Sequence, residues 1–124
     1  KEVNDRYGHK AGDVMLQSLG KLMKNSVRSA DVVCRYGGEE FVIVMPGASE
    51  ATMNRCAEDI RSRFEESCVV FENHELRATI SMGAAIYPLH GSSVDEVFIH
   101  ADRAMYQAKK HGRNRVVVFL PQGA

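Results

Sequence analysis

The sequence predicts an α+β domain in which helices pack against a sheet. Three segments repeat apolar residues at helical spacing, and the stretches between them contain short apolar or alternating runs, which are typical of strands. The resulting order is helix, hairpin, helix, hairpin, helix, strand, and strands separated by helices favour a sheet with helices against it. The 124 residues suffice for one domain over residues 1–124 with a buried core.

The three helices are predicted from their apolar spacing and their end signals. The first runs from Asp13 to about Val27, with Asp13 near its cap. The second follows Ser49, whose hydroxyl can cap it. The third ends at Gly112, a typical residue just past a helix C-terminus. The second helix has an apolar face made of Met53, Cys56, Ala57, Ile60 and Phe64.

The strands are predicted over residues 32–36, 40–46, 69–71, 76–86 and 116–119. The first two form a hairpin with a glycine pair at its tip, and Pro46 with Gly47 ends it. Residues 72–75 turn the chain between the third and fourth strands. The fourth strand alternates apolar residues with the other face, and the last is continuously apolar.

The composition favours a soluble globular protein of a reducing compartment. Apolar residues make up 44% and charged residues 26% of the chain, and the 16 basic residues balance the 16 acidic ones. A basic nucleic-acid stripe and a membrane-spanning run are both missing, so neither partner is expected for this domain. The three cysteines are odd in number and not closely spaced, which suits the cytoplasm.

The predicted first hairpin has the sequence Gly37-Gly38-Glu39-Glu40 at its tip. Glycines let a phosphate approach the backbone, and adjacent carboxylates can hold a hard divalent cation. The tip could therefore present Mg²⁺ and a nucleotide triphosphate together. These four residues alone favour the alternative, an ordinary hairpin with solvated acids.

Four segments in order give this tip a family context. Residues 35–41 read Arg-Tyr-Gly-Gly-Glu-Glu-Phe, and the accompanying segments lie at residues 1–13, 79–85 and 101–114. Together they resemble the signatures of the diguanylate cyclases, the GGDEF-domain family, in the form with Glu in place of Asp. Order and spacing hold from residue 1 to about residue 118. The resemblance implies a mostly antiparallel central sheet, like the palm domain of nucleotide cyclases and polymerases.

The resemblance also implies roles for the hairpin residues. It assigns Glu39 to the metal-binding, catalytic position, with Glu40 beside it supporting the metal. It places Gly37 and Gly38 against the substrate phosphates. The implied cofactor is Mg²⁺ or Mn²⁺, because attack on an α-phosphate needs a cation that activates the hydroxyl and neutralises charge.

Further residues match the family's substrate-binding positions. Asn4 and Asp13 are the candidates for guanine, since a carboxylate can accept from N1–H and N2–H, a donor pair that adenine lacks. Taken alone, they would be a turn residue and a helix cap. Lys109 and Arg113 match positions that contact the terminal phosphates, although cations there also complement a helix C-terminus. Lys1 matches a phosphate-side lysine.

Arg28 and Asp31 are three residues apart and precede the glycine pair. The family's inhibitory site, where the product cyclic di-GMP binds, is an Arg-x-x-Asp pattern at this spacing. As a bare pattern it usually means a solvated turn. Lys24, Arg61 and Arg63 are expected on solvated helix faces.

The resemblance implies a diguanylate cyclase that condenses two GTP into cyclic di-GMP and two pyrophosphates as a homodimer, joined to N-terminal sensory modules. The alternatives are a catalytically silent module that binds GTP or cyclic di-GMP, and a purely structural dimerisation domain. The family has a strand with a metal-binding Asp before the segment that begins at Lys1. A chain that truly began there would be a poor enzyme.

Overall fold

A computed structural model of the protein describes residues 7–120 and confirms the α+β class. The helices are α1 (His9–Ser26), α2 (Glu50–Glu66) and α3 (Val94–Lys110). The strands are β1 (Val32–Gly37), β2 (Glu40–Val44), β3 (Val69–Phe71), β4 (His74–Leu76), β5 (Met82–Ala84) and β6 (Val116–Val118). Within the described residues the chain forms two compact units, one of residues 7–47 with 62–78 and one of residues 48–61 with 79–120.

In the first unit, α1 begins at His9, one turn before the predicted start. Ala11 and Gly12 are both buried inside the helix, so the small residues extend the apolar face that continues through Met15. The N-cap is Gly8, with φ 90°, and it makes no side-chain cap. The prediction that Asp13 lies at the cap was therefore wrong: Asp13 is an exposed residue within the helix.

The β1–β2 hairpin is antiparallel, with Val32 opposite Val44. Its turn residues are Gly38 and Glu39, one position later than the predicted glycine pair. The cause is a register irregularity between Arg35 and Gly37, after which Gly37 pairs with Glu40. The irregularity leaves one residue of β1 without an opposite partner and moves the turn along the chain.

The β3–β4 hairpin has a turn of two residues, Glu72 and Asn73, with φ 48° and 68°. Two successive left-handed residues match the twist of a tight hairpin. The predicted single strand over residues 76–86 was wrong, because its two ends belong to different strands: β4 ends at Leu76 and pairs with β3, and Met82–Ala84 form β5, which pairs with β6. Leu76 itself is only 1% exposed and belongs to the core.

In the second unit, β5 and β6 pair in parallel, with Met82 opposite Val116. Parallel strands need a crossover, and α3 supplies it. At Gly83 a Cβ atom would lie 2.1 Å from the backbone atoms of Ala101 and Met105, so only glycine lets α3 lie directly on β5. Ser93 caps α3, its Oγ accepting from Glu96 N at 3.1 Å.

Two of the three strand pairs in residues 7–120 are thus antiparallel, and each pair forms its own two-stranded sheet. The predicted cap of α2 is confirmed, since Ser49 Oγ accepts from Thr52 N at 3.1 Å. Its predicted apolar face is also confirmed at Ala57, Ile60 and Phe64, all buried. None of the helices in the described part of the chain has the length and apolar character to cross a membrane.

Candidate functional site: an exposed glycine–glutamate turn and a cationic helix end

The hairpin tip is held by the side chain of Arg35. Its Nε and Nη2 atoms donate to the carbonyl oxygen of Gly38 at 3.2 and 2.7 Å. A planar guanidinium that grips one carbonyl through two N–H groups restricts the turn more than a single bond would. Arg35 therefore fixes the backbone at the turn that carries Glu39. No sequence pattern predicts this contact, although Arg35 lies in the quoted motif.

The two tip glycines are required neither by backbone conformation nor by packing within the described residues. The glycines with positive φ there are Gly8, Gly47 and Gly112, so Gly37 and Gly38 adopt angles open to other residues. A Cβ atom on Gly38 would meet none of the described atoms within 4 Å, and one on Gly37 would meet only Glu40 Oε1, at 3.9 Å. What the glycines provide is a bare backbone surface.

Glu39 and Glu40 stand directly beside that surface. Glu39 is in the turn and Glu40 begins β2, and both are exposed. Residues 7–120 contain no group of three or more His, Cys, Asp or Glu side chains that could hold a metal by themselves. Mg²⁺ takes one or two protein carboxylates and completes its shell with phosphate oxygens and water. The pair fits a cation that arrives with a nucleotide.

The predicted guanine and phosphate ligands of the N-terminal segment, Lys1 and Asn4, lie outside the described residues. Asp13 is exposed on α1 in the first unit. Because it does not cap the helix, the purely structural interpretation of this residue loses its basis. Asp13 therefore remains a substrate-binding prediction.

Lys109 and Arg113 lie at the C-terminal end of α3, in the second unit. Lys109 is in the last turn, and Arg113 follows Gly112, whose φ is 119°. Arg113 N donates to Ala108 O at 2.9 Å, which closes the helix in a Schellman arrangement. Both side chains belong to exposed residues. They complement the negative end of the helix dipole and also form a cationic surface suited to phosphate.

Arg28 and Asp31 form an ordered pair. Arg28 Nη2 lies 2.8 Å from Asp31 Oδ1 and 2.9 Å from Pro46 O, and Arg28 N donates to Asp31 Oδ2 at 2.9 Å. The hydrogen bond from the Arg28 side chain lowers the pKa of Asp31, against a smaller opposing effect of burial. The Arg28 side chain is 46% exposed, whereas the Asp31 side chain is fully buried. The Arg-x-x-Asp segment is therefore a preformed turn that presents a cation.

Arg61 differs from the prediction of a solvated helix face. Its side chain is only 15% exposed, pairs with Glu58 one turn earlier, and donates from Nη1 to Asn114 Oδ1 at 2.8 Å. The spacing of Glu58 and Arg61 signals their pairing, but the contact with Asn114, 53 residues away, does not follow from a sequence pattern.

The α+β fold agrees with the palm fold of the nucleotide cyclases. The chain belongs to the GGDEF family: the family model described as "Diguanylate cyclase, GGDEF domain" matches residues 1–115. The resemblance seen in the sequence is thereby confirmed.

Individual proteins agree with this assignment. The chain is 44% identical over 117 residues to diguanylate cyclase DosC of Escherichia coli, covering 94% of this chain and 25% of that protein. The GGDEF domain of YfiN (TpbB) from Pseudomonas aeruginosa superposes with a TM-score of 0.90 at 32% identity, covering 98% of this chain and 76% of that one. The GGDEF domain of DgcB from Caulobacter crescentus, in complex with c-di-GMP, gives 0.86 at 29%, with coverages of 94% and 70%.

The chain spans a third or less of the length of the first curated relatives it matches. Those relatives therefore contain other regions besides the part that corresponds to this chain.

Proposed function

We propose that this domain is a diguanylate cyclase, which condenses two GTP into cyclic di-GMP and two pyrophosphates. The observation that carries the proposal is the hairpin tip, where two glycines that neither the backbone nor the described packing requires stand beside two exposed carboxylates. Such a surface is suited to binding a phosphate and its cation, whereas the described packing does not require it. The diguanylate cyclases among the similar proteins support the same activity.

In the proposed reaction, the 3′-oxygen of each GTP forms a bond to the α-phosphorus of the other. The bond between the α-phosphorus and the bridging oxygen breaks, pyrophosphate leaves, and the 3′-hydroxyl loses its proton. Glu39, supported by Glu40, would hold Mg²⁺ or Mn²⁺, which when bound supplies charge neutralisation and activates the hydroxyl. Gly37 and Gly38 let the phosphates lie against the backbone, and the protein contributes chiefly positioning.

The other substrate contacts are assigned by chemistry and by family position. Asp13 accepts from the N1–H and N2–H edge of guanine, and Asn4 adds an amide contact. Lys109 supplies a point charge and Arg113 a planar fork to the terminal phosphates, and Lys1 is a further phosphate-side cation. A guanine edge read in this way excludes ATP, because adenine lacks the donor pair.

Catalysis needs two domains, since each GTP supplies the nucleophile for the other. Two copies meeting face to face as a C₂ homodimer satisfy this requirement. The additional length of the curated relatives fits N-terminal sensory modules that bring the copies together. We expect the domain to work in the cytoplasm, where Cys34, Cys56 and Cys68, none of which is in a disulfide, stay reduced.

Regulation by product is proposed at Arg28 and Asp31. The partly exposed Arg28 side chain can pair with a phosphate of cyclic di-GMP. The Asp31 side chain is buried against Arg28, so an acceptance from guanine requires this pair to open. A related GGDEF domain has been solved with c-di-GMP. Calorimetry with cyclic di-GMP should show a large loss of affinity in Arg28→Ala and none in Arg55→Ala, an exposed arginine on α2. Equal affinity in all three proteins would leave the pair as a structural turn.

The activity test is product formation from GTP with Mg²⁺ by the purified protein. Chromatography should show cyclic di-GMP with two pyrophosphates for each product, no product from ATP, and none after chelation of the metal. The alternative is a silent module that binds GTP or cyclic di-GMP. Saturable binding of GTP with no turnover under these conditions would favour that alternative and contradict the proposed activity.

A further inference from the structure

The segment between α3 and β6 holds an unusual backbone conformation. Gly112, Arg113 and Asn114 have φ values of 119°, 61° and 47°, so three successive residues lie in the left-handed region. Non-glycine residues pay for that conformation, and it persists only where the surroundings fix it. We refer to residues 111–115 as the α3–β6 loop. It carries Arg113, the proposed phosphate ligand.

Backbone bonds fix the two ends of the loop. At the helix end, Arg113 N donates to Ala108 O at 2.9 Å. At the strand end, Met82 N donates to Arg115 O at 2.9 Å, just where β5 and β6 begin to pair. Arg115 Nε also donates to Arg113 O at 3.1 Å. The middle of the loop, at Asn114, is held by a side chain from another helix.

That side chain is Arg61 of α2, in the same compact unit. Its Nη1 donates to Asn114 Oδ1 at 2.8 Å, while Nε and Nη2 donate to Glu58 Oε1. The Arg61 side chain is 15% exposed and its bond to Asn114 is partly buried, so water competes less there than at the exposed Glu58 end. The Arg61 hydrogen bond lowers the pKa of Glu58, which stays ionised near neutral pH and orients the fork.

We infer that Glu58, Arg61 and Asn114 form a positioning network that holds the α3–β6 loop so that Arg113 meets the terminal phosphates of the nucleotide. The inference rests on the proposed GTP binding and extends it. Arg61 is a positioning residue, because it contacts Asn114 and Glu58 rather than the substrate. A lysine cannot replace Arg61, because an ammonium group lacks the planar guanidinium whose separate nitrogen atoms donate to Asn114 and Glu58 at the same time.

The expected signature is a loss of affinity confined to ligands with terminal phosphates. The probes are GMP and the α,β-methylene analogue of GTP, whose α–β bridge cannot be broken. Arg61→Lys and Asn114→Gly should each lower the affinity for the analogue about tenfold and leave the affinity for GMP unchanged. Asn114→Gly removes Oδ1 while keeping the left-handed backbone accessible. Asn114→Asp keeps an acceptor for Arg61 and should bind the analogue with the wild-type affinity that Asn114→Gly loses. Arg55→Lys, on the same helix α2 as Arg61, is the matched control.

Two further measurements separate positioning from a general structural effect. In an Arg113→Ala background, Arg61→Lys should add no further loss for the analogue, because the two residues act through one contact. Without nucleotide, hydrogen exchange should show faster exchange of the Arg113 amide in Arg61→Lys, with amides of α1 unchanged.

Unaltered analogue affinity in Arg61→Lys, or equal losses for the analogue and GMP, would overturn the inference. The inference would also be overturned if the losses of analogue affinity caused by Arg61→Lys and by Arg113→Ala simply added in the double variant. A wild-type protein that binds neither nucleotide would refute the proposed function instead, and the exchange of the Arg113 amide would still report whether the network holds the loop.

Discussion

Two turns of this molecule carry the residues assigned to phosphate, and they use glycine for opposite reasons. At Gly112 the backbone itself demands glycine, since φ is 119° and a helix is being ended. At Gly38 the backbone makes no such demand, and an added Cβ would meet none of the described atoms within 4 Å. The fold explains Gly112, and the described residues give no structural reason for Gly38. The comparison therefore separates a structural requirement at Gly112 from the proposed functional one at Gly38.

The two turns also differ in how they are held. The α3–β6 loop is fixed by backbone bonds at both ends and by Arg61 in its middle. At the hairpin tip, Arg35 donates twice to one carbonyl oxygen of a two-residue turn. A tightly fixed loop suits a cationic side chain that is preorganised to bind phosphate. A barer turn suits a surface that the substrate itself covers.

Among the substitutions that test this comparison of the two turns, the largest effect is expected from Gly38→Ala. The methyl group meets no described atom, so the free energy of unfolding should stay within about 0.5 kcal/mol of wild type. It would stand where phosphates are proposed to lie, and a small displacement of reacting groups can cost about a hundredfold in rate. Turnover of GTP and thermal unfolding would be measured side by side.

Gly20→Ala is the control for that substitution. Its Cβ would lie 3.5 Å from Phe41, an ordinary contact, within helix α1. It should leave turnover near the wild-type value and raise stability slightly. A fully active Gly38→Ala protein would contradict the proposal that Gly38 is required for function.

Gly112→Ala should act in the opposite way, on stability first. A residue with a Cβ at φ 119° costs about 1 to 3 kcal/mol. The clash with Arg115 Nη2, at 2.6 Å, adds little because the end of that side chain can move. Chemical denaturation gives the free energy of unfolding directly. If Gly112→Ala lowered the free energy of unfolding by less than Gly38→Ala does, the structural role of Gly112 would be contradicted.

Arg35→Ala should reduce turnover about tenfold, because hydrogen bonds from a charged group contribute about 1.5 to 3 kcal/mol and this pair is exposed. Arg35→Lys keeps the charge without the fork and should recover only part of the activity. The measurement is kcat and KM for GTP. Full recovery by lysine would mean that charge, and not the grip on Gly38, is what matters.

The smallest effect concerns pH. Arg28 lowers the pKa of Asp31 below its ordinary value of 3.8, so the pair stabilises the folded state above that pH and loses its effect as pH falls through the folded-state pKa. The gap in melting temperature between wild type and Arg28→Ala should therefore close between about pH 5 and about pH 2. A gap that stays constant over this range would show that the lost Arg28 bond to Pro46 O dominates.

The helices could be predicted from the sequence because their apolar spacing and end signals are local, as at Ser49 and Gly112. The extra first turn of α1 was missed because it depends on burial of the small residue Gly12. The hairpin tip was displaced by one residue because the irregularity before Gly37 is set by pairing between strands. Residues 76–86 alternate like one strand, yet their ends pair with different strands, Leu76 with β3 and Met82–Ala84 with β6.

The candidate site followed the same division. The motif residues, such as Glu39 and Arg113, could be found in the sequence because the family match identifies them by position. The supporting contacts could not, because Arg35 reaches back across a turn and Arg61 crosses from one helix to a distant loop. Such contacts depend on how the elements pack, which no local pattern encodes.

The most direct test of the central claim is the turnover of GTP by Glu39→Gln. The substitution keeps the size of the side chain and removes its charge at the turn. Cyclic di-GMP formation with Mg²⁺ should fall about a hundredfold to a thousandfold while circular dichroism and melting temperature stay unchanged. Glu50→Gln, an exposed carboxylate at the start of α2, should remain active. Near-wild-type turnover by a folded Glu39→Gln protein would contradict the assignment of the metal to this turn.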